Sequence, residues 1–270
     1  DVYNWYLTNP TSAEGRPARP DVNDREVVAS YLPTYEEQQN YLNGNEIDWV
    51  DEVLQVAPMQ NYSLSVQGGA DRTTYYLSGS HSNVEGIQLN DKFKRYTLRT
   101  NLDSRINDWL TLGVNTSYAY QDNSGIPASL ANARVASPLV DNKIDRPDYD
   151  IYLGGELYQP YPLVYLEIDN KDVRNELFAI GRAVVDVSWI RGLRYEFNYS
   201  QTYFNTEVNS FHSNRTPQGS TNRGYAIKEP KEQRNWILNN IVTYIRDFGN
   251  HQINSTLLFS RENIRGSTSS

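Results

Sequence analysis

From Met59 onward the chain alternates apolar and polar residues with period two. Tyr62, Leu64 and Val66 share one side of a first run. Thr73, Tyr75 and Leu77 share one side of a second, and Tyr96, Leu98, Thr100 and Leu102 one side of a third. Period two is the signature of a pleated strand whose neighbouring side chains point to opposite faces. The other side of the third run holds Phe93, Arg95, Thr97, Arg99 and Asn101, a hydrated set. Further along, Leu110, Leu112, Val114, Thr116, Tyr118 and Tyr120 line up in the same way. So do Leu193, Tyr195, Phe197, Tyr199 and Tyr203, opposite Arg194, Glu196, Asn198, Ser200 and Thr202. In 235–246 the pattern is divided: Trp236, Leu238, Val242 and Tyr244 oppose Ile237, Ile241 and Ile245, and no outward side can be assigned.

The alternation predicts about eight strands, over 59–68, 72–82, 93–103, 109–121, 176–189, 193–204, 235–246 and 251–261. Tight connections are expected at Gly69–Asp71, Ser104–Asp108, Arg191-Gly192 and Phe248–Asn250. Those between are longer: 83–92, 122–175 and 205–233. In an antiparallel meander, alternate connections lie at opposite ends. One end therefore has only tight turns, and the other has all the long loops. Transmembrane β-barrels segregate their connections in this way, and their strands of about 10 residues escape a search for continuous apolar runs. Trp109 and Trp189 fall at tight-turn ends and Trp236 at a long-loop end, as two interfacial girdles would require. The expected fold is all-β: an antiparallel up-and-down transmembrane β-barrel segment, about eight strands of an incomplete barrel, with long extracellular loops and a short N-terminal helix.

Ahead of the strands, residues 1–58 read as an irregular segment broken by Pro10, Pro17, Pro20 and Pro33. One helix is expected within 35–57: Ile47, Val50, Val53 and Leu54 recur at helical spacing, Asp48, Asp51 and Glu52 favour its start, and Pro58 stops it. Residues 59–261 are expected to be barrel wall and 262–270 a loop or an end. The first residues, DVYNWYLTNP, show no leader, and the chain is expected to be an excerpt from a longer protein.

Composition narrows the function. Hydrophobic residues make up 38%, and tyrosine (21) far outnumbers phenylalanine (7), which suits boundaries between apolar and wet surroundings. A formal net charge of −8 argues against a general nucleic-acid binder. With no cysteine there is no disulfide or thiolate metal site. His81, His212 and His251 stand on separate segments, and no nucleophile, phosphate-binding or zinc motif is present, so no enzyme is expected. Gly68-Gly69 reads as a turn device rather than a phosphate cradle. Asp141, Asp145, Asp148, Asp150, Glu156, Glu167, Asp169 and Asp172 concentrate in the long loop. A Ca²⁺ site there is conceivable, but Lys143, Arg146, Lys171 and Arg174 lie among them, so a solvated loop is expected and no cofactor. Tyr152, Tyr158, Tyr161 and Tyr165 of that loop are candidate stacking surfaces for sugar rings, or equally residues that fold the loop onto itself, and Arg95 and Arg99 are candidate lumen-facing residues.

Residues 48–120 carry a phrase more specific than the pattern. Its pieces are Asp48-Trp49, SVQGG at 65–69, YYLSG at 75–79, VEGI at 84–87, FKRYTLRTNL at 93–102 and DWLTLGVN at 108–115. This phrase resembles the SusC/RagA family of TonB-linked outer-membrane transporters. The resemblance implies a large barrel closed around a plug, a SusD-like surface lipoprotein as a lid, and import of glycans, glycan fragments or peptides driven by the TonB complex. It also implies the outer membrane of a Gram-negative bacterium. Neither plug nor TonB box is recognisable in these residues. Two other readings of the strands are a passive porin-like channel and a soluble all-β glycan-binding module, the latter requiring a second sheet over the apolar faces.

Overall fold

A computed structural model of the chain describes residues 21–144, 151–153 and 160–268. Eight strands form one antiparallel sheet in the order of the sequence, each paired with the next. They are β1 (Met59–Ala70), β2 (Thr73–Glu85), β3 (Lys92–Arg105), β4 (Leu110–Asp122), β5 (Ile168–Asp186), β6 (Leu193–His212), β7 (Tyr225–Phe248) and β8 (His251–Thr268). Strands β1 and β8 are each paired on one side, and the sheet is open. The meander and the segregation of tight turns to one end are as the alternation predicts.

The register aligns the apolar residues of neighbouring strands. Leu64 faces Gly79, which faces Leu98, then Tyr118, then Leu177. Two rows toward the tight-turn end from Val66 and Leu77, Ala70, Thr73, Ser104 and Leu112 face one another in turn. The divided strand is settled by its partners: Tyr195 faces Val242 and Tyr199 faces Leu238, so Trp236, Leu238, Val242 and Tyr244 share the apolar face. Large residues on that face are open, including Leu64 at 76% and Leu257 at 70% exposure.

Four features differ from the sequence reading. First, β5 begins at Ile168, β6 continues to His212, β7 starts at Tyr225 and β8 runs to Thr268. The long connections shrink from 122–175 to 123–167 and from 205–233 to 213–224, and 262–268 is strand rather than a loop. These extensions carry charge on both faces, as in Lys171-Asp172, Glu207 and Lys228-Glu229, so they have no apolar period to detect. Pro230 also disguised β7; it lies one residue beyond the last β7–β8 pair, Lys231 with Thr268, where its missing N–H breaks no bond to β8.

Second, the first turn is Asp71-Arg72, closed by Ala70 facing Thr73, so Gly68 and Gly69 belong to β1. Tyr75 covers Gly68: a β-carbon there would lie 2.6 Å from the tyrosine hydroxyl. Third, Trp189 lies in the β5–β6 turn rather than in a strand. Gly192 of that turn has φ +89°, and any β-carbon would collide with the Ile245 carbonyl at 1.9 Å.

Fourth, among the described residues of the N-terminal segment three helices replace the expected one: α1 (Arg25–Ser30), α2 (Tyr35–Asn43) and α3 (Trp49–Val53). Asp24, Thr34 and Asp48 cap them, Thr34 in a reciprocal capping box with Glu37. Among the described residues no helix is long and apolar enough to cross a membrane.

The chain divides into two compact units. Of the described residues, one unit gathers those within 21–54 and 128–165, the other those within 55–127 and 166–268. The first has a conventional core. Trp49 meets Tyr161 edge to face at 5.0 Å, and its indole N–H donates to the Ser137 carbonyl at 2.9 Å. Asn40 of α2 donates to the Leu139 carbonyl at 2.8 Å, and Glu36 pairs with Lys143. The first long loop is thus folded onto the N-terminal helices.

Trp49→Ala should remove about 3–5 kcal/mol of local stability, since it leaves a cavity against Tyr161 and an orphaned carbonyl at Ser137. Limited proteolysis should then cut faster within 128–165 and leave the strands unaffected; an unchanged pattern would contradict this core.

Candidate functional site

The face opposite the apolar rows is a continuous polar surface. Its rows follow from the register. Ser63, Ser80 and Thr97 face one another; so do Ser65, Ser78, Arg99 and Ser117; so do Gln67, Tyr76, Asn101 and Asn115. Short hydroxyls beside Arg99 leave space around its guanidinium. Arg95 lies between Ser82 and Gln121 on the same face, and its Nε is buried without a hydrogen-bond partner. The structure thus places Arg95 and Arg99 together on the polar side.

Charge accumulates toward the tight-turn end of this face. Asp103, Gly113 and Arg182 occupy adjacent positions on β3, β4 and β5. The Arg182 guanidinium bonds the Asp103 carboxylate at 2.5 Å across the glycine between them. A β-carbon on Gly113 would sit 2.5 Å from Asp103 Oδ1, so glycine is what lets the pair meet. Nearby, Arg194 bonds Asp186 at 2.8 Å across β5–β6. A cavity of about 570 Å³ is lined by Asp186, Arg194, Asp108, Arg191, Thr243 and Ile245. Sequence reading missed the Asp103–Arg182 pair. The available signal was a glycine inside an otherwise alternating strand, which marks a close approach.

The loop tyrosines fare differently. Tyr161 is 2% exposed; its hydroxyl donates to Asn142 Oδ1 at 2.7 Å and accepts from the Lys143 amide at 2.5 Å. It is a core residue and offers no stacking surface. Tyr152 is half-buried in an isolated bridge with Pro160, and Tyr165 is half-buried in the 3₁₀ turn Val164–Glu167. Tyr158 lies outside the described residues, as do Asp145, Asp148, Asp150 and Glu156 of the acidic loop. Among the described residues no group of three or more histidines and carboxylates is placed to hold a metal ion.

The apolar face has its own organisation. At the long-loop end Tyr62, His81, Tyr96 and Tyr120 form one row across β1–β4. His81 stacks on Tyr96 at 4.5 Å and lies parallel to Tyr62 at 6.4 Å. Phe248 of β7 stands on this face at the opposite end, and Trp109 and Trp189 lie in the tight turns there. Aromatic residues thus mark both ends of the strands. The surface can present hydroxyl, amide and guanidinium groups to a polar solute on one side, and an apolar band to a non-aqueous surround on the other.

Replacing Gly113 by Ala should push the Asp103 carboxylate aside and break its bond to Arg182. Both partners are partly exposed, so the loss should be modest, about 1 kcal/mol or less. Asp103→Asn should add little in the Gly113→Ala background, as a double-mutant cycle of thermal stability in detergent would reveal; full additivity would argue against the pair.

No family model matches the chain. Two TonB-dependent receptors of Formosa agariphila are similar to it. Receptor P3 is 25% identical over 248 residues, covering 86% of this chain and 24% of the relative. Receptor P26 is 26% identical over 212 residues, covering 76% and 21%. The chain therefore spans about a quarter of the length of these relatives. Among solved structures, the RagAB peptide importer in its closed-closed state aligns with a TM-score of 0.65 at 23% identity, over 83% of this chain and 27% of that one. A structure of the RagAB peptide transporter aligns at 0.64, with 23% identity and coverages of 84% and 27%. Sequence and fold agree: the chain is a barrel-wall segment similar to SusC/RagA-like TonB-dependent transporters.

Proposed function

We propose that this chain is a stretch of the barrel wall of an outer-membrane importer for glycans or peptides in a Gram-negative bacterium. A SusD-like lipoprotein would cover its extracellular mouth, and the TonB complex would drive uptake through parts of the protein other than these strands. The carrying observation is the consistent division of the eight strands into an apolar and a polar face, with tight turns at one end. The exposed apolar rows need a hydrocarbon surround, because an uncovered apolar face of this size is unfavourable in water. Polar side chains, Arg95, Arg99 and the Asp103–Arg182 pair among them, then line the lumen. The tight turns face the periplasm, and the connections 86–91, 123–167 and 213–224 face outward. An open eight-stranded sheet has unpaired edges that lipid does not tolerate, so closure requires more strands than these.

The peptide cargo of the RagAB neighbours bears on those proteins. For this chain, both cargo classes suit the same hydroxyl- and guanidinium-rich wall. Uptake assays in cells with and without a functional TonB complex distinguish the importer from a passive channel. An importer should lose uptake without TonB; a porin-like channel should retain it.

Facing can be tested residue by residue. Val114 lies on the apolar face between Leu102 and Gly181, and Asn115 on the polar face between Asn101 and Ile180. Val114→Arg should impair assembly by roughly 2–4 kcal/mol if the site is at mid-bilayer, whereas Asn115→Arg should be tolerated. Equal effects on outer-membrane yield, or partition of the complete protein into buffer rather than detergent, would refute the membrane reading.

A further inference from the structure

Within the polar face, two strands carry aliphatic side chains. Ile180, Ser200 and Ile237 face one another across β5, β6 and β7, and so do Val184, Glu196 and Ile241. Phe178 precedes Ile180 on the same side of β5 and faces Thr202. On β3 and β4 the same rows hold Arg99 with Ser117 and Asn101 with Asn115. The other side of β5 and β7 is the apolar face, with Leu177 and Val185 on β5 and Leu238 and Val242 on β7. These two strands are therefore apolar on both sides, the pattern of strands covered on both faces. Each of β5, β6 and β7 is paired with a strand on either side, so the pattern belongs to the interior of the sheet and not to its edges.

The two aliphatic lines are the sides of a groove, and β6 is its floor. Strands two places apart are separated by about 10 Å, which is the width of a single helix or of one extended segment with its side chains. The floor offers the hydroxyls of Ser200 and Thr202. It also holds an unsatisfied acceptor. Asn198 Nδ2 donates to Glu196 Oε1 at 2.9 Å, while Asn198 Oδ1 is buried with no hydrogen-bond partner among the described residues. A buried acceptor without a donor is unfavourable, and a backbone N–H lying in the groove would satisfy it.

The occupant must be permanent. A transported solute would leave four aliphatic side chains bare in water between passages, whereas a part of the same polypeptide would cover them throughout. Chain of the required length is available if this protein resembles its relatives in size, since the stretch spans about a quarter of them. A segment inside the barrel could rest anywhere on the wall; the aliphatic lines assign it to β5–β7. We propose that the groove along β6, walled by Ile180 and Val184 on one side and Ile237 and Ile241 on the other, seats a segment of the same polypeptide from outside residues 1–270, and that the hydroxyl-rich face of β3–β4 stays open to water. The proposal rests on the membrane reading given above.

Single cysteines are placed in the complete protein, freed of any other cysteine, as I180C, I237C, S117C and L238C. Outer-membrane fragments, open on both sides, are treated with a water-soluble maleimide, and each rate is divided by the rate after denaturation in hot dodecyl sulfate. S117C should react readily. I180C and I237C should react about ten-fold more slowly, since a covered site reacts only through local opening. L238C should be protected by lipid. V184C and I241C report on the same groove if I180C or I237C does not assemble. Benzoylphenylalanine introduced at Ile237 and irradiated should cross-link to a peptide of the same polypeptide outside residues 1–270, as mass spectrometry of the digest would identify. Groove cysteines as reactive as S117C overturn the proposal, as does S117C protected to the same degree as they are. Cross-links confined to a separate protein, to cargo or to residues within 1–270 overturn it too. Reaction of L238C as fast as S117C defeats the membrane reading as well; protection of L238C with reactive groove cysteines defeats this inference alone.

Discussion

The backbone ladder between neighbouring strands is the constraint on which the sheet depends. Each strand pairs with the next over nearly its whole length, and that pairing fixes which residues stand side by side. Because side chains alternate, a slip of one residue would carry every apolar side chain to the polar face. The ladder therefore does more than join strands. It brings Asp103 and Arg182 to either side of Gly113 and aligns Tyr62, His81, Tyr96 and Tyr120. Asp103 and Arg182 stand 79 residues apart in the chain, and the ladder alone brings them together.

Within each unit the order has a different physical source. Trp49, Val53, Tyr161 and Val164 are buried in the first unit, an ordinary small core of apolar contacts and caps. In the sheet unit the buried apolar residues among those described are Ala119, Ile168 and Val173. A sheet with so little interior draws its order from inter-strand hydrogen bonds and from whatever covers its apolar side. Aromatic residues at both ends of the apolar rows suit a surround that changes from apolar to wet over a short distance.

Much of the fold was legible in the chain because one face is apolar and period two exposes it. Strands β1–β4 could be located to within a few residues from Leu64, Leu77, Leu98 and Val114 and their neighbours. Legibility failed where that asymmetry ends. The extensions of β5, β6 and β7 are charged on both sides, and Pro230 imitates a loop. The three short helices were reduced to one because Ile47, Val50 and Val53 imitate a single stripe, while Gly44 in the left-handed conformation ends α2 before it. Of the candidate residues, Arg95 and Arg99 could be assigned to a face by parity alone. Tyr161 could not be placed, since packing against Trp49 depends on a contact across more than a hundred residues.

The joint core of residues 21–54 and 128–165 constrains how such a wall can diversify. A surface loop can ordinarily be exchanged between homologues as a cassette, because its ends alone must fit. Here the cassette has two parts. Tyr161 and Ser137 meet Trp49, Leu139 meets Asn40, and Lys143 meets Glu36, all across the intervening β1–β4 sequence. A graft of the loop without the helices leaves an indole and a capped helix with no counterpart. Recombination that respects this protein must therefore move both pieces together, and sequence drift in either piece is answerable to the other.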